Sequence, residues 1–224
     1  MAETTLSSTP ASTPGRLRLS PAWLLFAALA LAIPVAPLLL KQKPVALPDL
    51  GRLPAFSLTD ERGRPFGRDD LLGKVWVADF VFTSCSDACP RLMQRMRLLQ
   101  DRLDPLGGVG LLSISVDPER DTPGRLRAYA ESYGARGDQW RFLTGPPTEV
   151  ERTVVKGFKM AMARVPAQEP AKESDDELRA QAFDILHGDR LVLVDSDARI
   201  RGYYVADDAG LAAVLRAARG LARR

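Results

Sequence analysis

A chain of 224 residues has room for one domain and additional segments. Its hydrophobic fraction of 46% and charged fraction of 26% are ordinary for a globular protein. The formal net charge of +3 is small and evenly mixed, with no basic run interleaved with aromatics, so a nucleic-acid partner is excluded.

Residues 1–21 are rich in Ser, Thr and Pro, with Arg16 and Arg18 near their end, and read as a disordered tail. Residues 22–40 carry no charge. As a helix they reach about 28 Å, close to the hydrocarbon thickness of a bilayer. Trp23 stands at one edge as an interfacial anchor, and Pro34 and Pro37 are tolerated in membrane spans. Arg16 and Arg18 before the span nearly balance Lys41 and Lys43 after it. The short tail and the large domain that follows favour an uncleaved signal anchor. That predicts a single-pass protein of the cytoplasmic (inner) membrane with its C-terminal domain in the periplasm. A cleaved signal peptide is the alternative. Residues 41–52 read as a linker, and residues 53–224 as the folded domain.

Within that domain, residues 56–59 alternate, residues 60–64 hold a Gly turn, and Pro65 and Phe66 resume the pattern, which predicts a short hairpin. Residues 75–82 are apolar on both faces apart from Asp79, as in a central strand. Leu92, Met93, Met96, Leu99 and Leu103 have helical spacing, closed by Gly107 and Gly108. Residues 109–116 form a second buried strand. Thr122 followed by Pro123 is a helix start, and that helix runs to Gly134. Residues 140–143 predict a short strand, and Pro147 opens a helix through about residue 156. Residues 165–180 are polar and acidic and read as an exposed loop. Residues 190–195 are a strand, a turn leads to residues 199–204, and a terminal helix starts near Asp208. The order predicts an α/β fold: a central mixed sheet flanked by helices, after an N-terminal transmembrane helix.

Cys85 and Cys89 are the only cysteines and His187 is the only histidine. The cysteines fall between the first long strand and the first long helix. That placement is thioredoxin-like, with one extra residue between the thiols. Residues four apart on a helical turn have Cβ atoms roughly 5–6 Å apart, so both sulfurs can reach one metal. A disulfide needs about 3.5–4.5 Å, which the loop before the helix can supply by bending. A helix N-terminus favours thiolate, the form required by either chemistry. Two thiolates suit Cu(I), and an added imidazole suits Cu(II) as well. A structural zinc site normally takes four protein ligands, which this chain lacks in cysteine and histidine. The bland readings are a structural disulfide for the cysteines and a surface loop position for His187. Met93 and Met96 fit a core helix face. Asp87 reads as a solvated turn residue or a neighbour of the ligands. Residues 117–122 read physically as a turn and helix cap.

The stretch Phe82-Thr83-Ser84-Cys85-Ser86-Asp87-Ala88-Cys89-Pro90 resembles the copper-site motif of the SCO/SenC family, the membrane-anchored assembly factors of cytochrome c oxidase. Residues 115–123, Ser-Val-Asp-Pro-Glu-Arg-Asp-Thr-Pro, match a second family stretch. Asp184-Ile185-Leu186-His187 with the strand after it looks like the family's metal-binding histidine and its following strand. The chain departs from the family in having Ser86 where Pro is common and Gly188 where Ser is common. The resemblance implies a thioredoxin-like domain that binds one copper ion, Cu(I) or Cu(II), through Cys85, Cys89 and His187. It implies delivery to the copper A-bearing subunit of cytochrome c oxidase, with other copper chaperones or thiol reductases as further partners. The competing expectation is an enzyme, an extracytoplasmic thiol–disulfide reductase with Cys85 and Cys89 as its redox-active pair. Thioredoxin-like reductases carry a cis-proline before a late strand, and the matching region here has His187 and no proline, which favours metal. A peroxiredoxin wants Pro and Thr where Ala78 and Phe82 stand, and is rejected.

Overall fold

The structure is a computed structural model that describes residues 47–104, 107–162 and 189–223. The expected tail, membrane span and acidic loop lie outside the described residues, and so does His187. Among the described residues no helix is long and apolar enough to cross a membrane.

Strands β1 (Ser57–Asp60) and β2 (Pro65–Gly67) form the predicted hairpin. Its turn is set by Asp60, whose Oδ1 accepts the N–H groups of Arg62 at 2.9 Å and Arg64 at 2.8 Å. Gly63 supplies the left-handed residue at φ +78°. A 3-10 turn at Arg68–Leu71 then leads into β3 (Val75–Val81). The remaining strands are β4 (Val109–Ser115), β5 (Trp140–Thr144), β6 (Arg190–Val194) and β7 (Ile200–Val205). They join one seven-stranded sheet in the order β2-β1-β5-β4-β3-β6-β7. Strands β3, β4 and β5 are parallel, and the outer pairings are antiparallel. The sheet is therefore mixed, as expected.

The apolar runs of β3 and β4 follow from burial on both faces. Val75, Val77 and Val81 face one layer, with Leu111, Trp140 and Phe142. Trp76, Ala78 and Phe80 face the other, with Leu112, Ile114 and Leu143. Trp76 sits opposite Gly110 in register, where any Cβ would meet the indole ring at 2.5 Å. The first layer is covered by helices α1 (Ala88–Leu103), α2 (Pro123–Ser132) and α4 (Asp208–Ala222). On α1 the spaced residues Leu92, Met93, Met96, Leu99 and Leu103 are all buried, and each such side chain contributes about 1.5–3 kcal/mol. The two methionines are core, as the spacing predicts.

Two predicted helix starts hold. Thr122 Oγ1 accepts the Arg125 N–H at 3.3 Å, with Pro123 next to it. Asp207 Oδ1 accepts the Gly210 N–H at 2.7 Å at the start of α4. The helix predicted from Pro147 differs. It is α-helical only as α3 (Pro147–Glu151) and continues as a π-helical stretch, Arg152–Gly157. The wider turn is closed by the Phe158 N–H on Thr153 O at 2.9 Å, and it turns Thr153, Val154 and Gly157 inward while Phe158 is fully buried.

Candidate metal centre

Strand β3 delivers the chain to the site. It ends at Val81, residues 82–87 turn, and α1 begins at Ala88. The turn closes where the Cys85 N–H donates to Phe82 O at 3.2 Å. Cys85 thus precedes the helix, as the sequence indicates, and Cys89 lies in its first turn. Both thiols are free. Cys85 is half-buried and Cys89 is buried against Leu92, Met93 and Val81. The Cys89 N–H donates to Cys85 Sγ at 3.4 Å, within the range of a sulfur acceptor.

The two thiols differ electrostatically. Burial pushes the Cys85 thiol up, but the backbone N–H groups of Cys89, Asp87 and Ala88, with the Cys89 side chain, outweigh it and leave it below the ordinary thiol value. Burial pushes the Cys89 thiol up to about 12. The Phe82 backbone offsets part of this, and Cys85 and Asp79 add to it. Cys85 is therefore the more readily ionised thiol of the pair, and Cys89 is the one that burial holds in the protonated form. The physical cause is the one expected from sequence, the free amides at a helix start, acting on the first cysteine only.

The Asp87 side chain, unlike its backbone N–H, is engaged away from the thiols. Its carboxylate accepts two hydrogen bonds from Arg91, at 2.7 and 3.0 Å, and both side chains are exposed. The second matched stretch does more than cap a helix. Asp121 is fully buried and takes donors from Thr83 and Ser115, so it links the loop after β4 to the loop that carries Cys85. Asp79 lies under the site, fully buried on the α1 side of the sheet. Ser113 Oγ donates to its Oδ1 at 2.5 Å, and Trp140 Nε1 donates in turn to Ser113 Oγ at 2.9 Å. Oδ2 has no hydrogen-bond partner among the described residues. Burial raises the Asp79 carboxyl to about 7, against the Ser113 hydrogen bond that lowers it. Its sequence signal was a single acid in an apolar strand.

Among the described residues no group of three or more His, Cys, Asp or Glu side chains could hold a metal. The structure thus brings together two of the three expected ligands, and the third is outside the described residues. Strand β6 runs antiparallel to β3, with Ala78 opposite Val192 and Trp76 opposite Val194. Strand β6 therefore starts at the end of the sheet where β3 delivers Cys85. Asp189, two positions after His187 in sequence, stands just before that start, its carbonyl accepting the Ala206 N–H at 2.6 Å.

A free dithiol at the entry to a helix, following the central strand of a mixed sheet, defines a thioredoxin-like dithiol domain. The comparisons narrow this. Residues 50–221 match the SCO1/SenC family model. A SCO1 protein homolog of Bacillus subtilis (strain 168) is 35% identical over 142 residues, 62% of this chain and 70% of that one. A putative copper-binding protein of Stutzerimonas stutzeri is 32% identical over 159 residues, 70% of this chain and 71% of that one. The solved structure of BsSco, a member of the Sco family of cytochrome c oxidase assembly proteins in which a disulfide switch is identified, aligns with a TM-score of 0.63. It is 27% identical, over 80% of this chain and 98% of that one. The chain belongs to the SCO1/SenC family.

Proposed function

We propose that this protein is a membrane-anchored copper metallochaperone. It would hold one copper ion through Cys85, Cys89 and His187 and deliver it to the copper A centre during cytochrome c oxidase assembly. The observation that carries the reading is the pair itself: a half-buried Cys85 sulfur facing helix-start amides, with Cys89 one turn on. Family membership supports it, together with the copper-binding and oxidase-assembly descriptions of two relatives. Two thiolates give a soft site for Cu(I), and the imidazole extends it to Cu(II). Three protein ligands leave the metal accessible to a partner's ligands, which suits transfer over storage. Loading must displace the Cys89 proton, so uptake weakens as pH falls, and it requires both sulfurs to be reduced because a disulfide offers no thiolate.

The test is elemental analysis of the full chain, purified in detergent with reductant and copper. About one copper per chain is expected from a single three-ligand site. Protein oxidised to the Cys85–Cys89 disulfide should take up none until reduced. Equal copper in a Cys85→Ser, Cys89→Ser double variant would overturn the reading.

A second reading, an extracytoplasmic thiol–disulfide reductase, is favoured by the contrast between a lowered Cys85 and a raised Cys89, the arrangement of an attacking and a resolving thiol. Either activity belongs outside the cytoplasm. The uncharged span at residues 22–40 after a short basic tail supports that topology. Protease added to intact spheroplasts should degrade the domain. Complete protection would overturn the topology.

A further inference from the structure

The geometry assigns Asp121 as a positioning residue for Cys85, acting through Thr83. This deepens the proposed function and rests on Cys85 being its working thiol.

Strand β3 makes its last ladder contact where the Val116 N–H donates to Val81 O at 2.9 Å. Beyond that point the chain leaves the sheet and needs another hold. Asp121 supplies it. The Thr83 N–H donates to Asp121 Oδ2 at 3.1 Å, and Thr83 Oγ1 donates to Asp121 Oδ1 at 2.5 Å. Ser115 Oγ donates to Oδ2 at 2.7 Å. The carboxylate is itself fixed: the Asp121 N–H donates to Asp117 O at 2.9 Å, and Thr122 is committed to capping α2. Asp121 is therefore not the helix cap. Its two oxygens are spent on the Cys85 loop and on the end of β4.

A carboxylate with no solvent exposure is costly unless its lone pairs are filled, and here three donors fill them, with Arg125 Nε 3.9 Å away. Two of those donors belong to one residue, two positions before Cys85. Downstream, Cys89 is locked by core packing on α1. The loop is thus pinned on both sides, and the sulfur of Cys85 is held over the helix amides. A free loop would let the two sulfurs close more easily into a disulfide. The Asp121 clamp therefore favours the open dithiol, the form that takes metal.

The test compares Thr83→Val, Thr83→Ser and wild-type full chains in glutathione buffers. In that exchange Cys85 attacks oxidised glutathione and one reduced glutathione leaves. Cys89 then attacks the mixed disulfide and the second leaves, so two electrons pass to glutathione. Thr83→Val should shift the equilibrium about tenfold toward the protein disulfide, about 30 mV for a two-electron couple. Thr83→Ser, which keeps the hydroxyl, should restore the wild-type value. Val150→Ala, a cavity on the opposite face of the sheet, should lower thermal stability without moving the equilibrium. An unshifted Thr83→Val equilibrium, or an equal shift in Val150→Ala, would overturn the assignment. No metal is present, so a copper-free wild type would defeat the chaperone reading and leave this comparison intact.

Discussion

Replacing Asp79 by Asn is expected to remove a fall in stability of about 4 kcal/mol between acid and mildly alkaline pH. Burial raises this carboxyl from 3.8 to about 7. Below pH 3.8 it is protonated in both the folded and unfolded chains, and it contributes no difference between them. Between 3.8 and about 7 the unfolded chain releases the proton while the folded chain holds it. Stability therefore drops as pH rises, and the loss is complete once the folded carboxyl has also ionised. A gap of about three pKa units at about 1.4 kcal/mol each gives the total. Asn keeps an oxygen for the Ser113 hydroxyl and has no charge to bury. Its amide nitrogen lacks an acceptor, much as the protonated wild-type carboxyl does, so the two proteins should be similar near pH 4. At pH 8 the variant should be the more stable. Asp49, Asp101 and Glu149 are held low by arginine partners and impose the opposite slope, but they do so in both proteins and cancel in the difference. Urea unfolding of the reduced proteins across pH 4–8 measures this. Parallel stability curves would show that Asp79 is not a buried acid of raised pKa.

Asp79 also shows where sequence reading stops. A lone acid in an apolar strand is visible in the sequence, but a strand buried on both faces gives no clue to which layer receives it. The face follows from register: Asp79 pairs with Ser113, whose hydroxyl satisfies one carboxylate oxygen. The strands and α1 were legible because continuous apolar runs and 3.6-residue spacing are strong local signals. The hairpin turn and the cap at Thr122 were legible because their chemistry is local as well. The Thr83–Asp121 contact was not, since its partners are 38 positions apart and meet only because β3 and β4 are neighbours. The π-helical stretch was not, because a ten-residue window cannot separate its period from that of an α-helix. For the site, two rare residues at a strand-to-helix turn marked the thiols. The difference between them required burial, which spacing does not contain.

The largest functional effect is expected from substituting the proposed ligands one at a time, because the pattern of losses separates the two readings. Cys85→Ser should abolish both copper binding and thiol–disulfide exchange, since it removes the lowered thiol that each requires. His187→Ala should divide them. Disulfide exchange uses two sulfurs and no imidazole, so reduction of a small test disulfide should be almost unchanged. Cu(I) binding should fall little, because two thiolates suffice for that ion. Cu(II) prefers a nitrogen donor beside the thiolates. Loss of outer partners of a ligand alone costs about 10–100-fold in metal affinity, so loss of the ligand should cost on the order of a hundredfold or more. The thiolate-to-Cu(II) charge-transfer absorption should disappear with it. The titration uses the full chain in detergent, with copper added in each oxidation state. An unaltered Cu(II) spectrum in His187→Ala would remove His187 from the ligand set. The site would then be a dithiol alone, and the reductase reading would stand ahead of the chaperone.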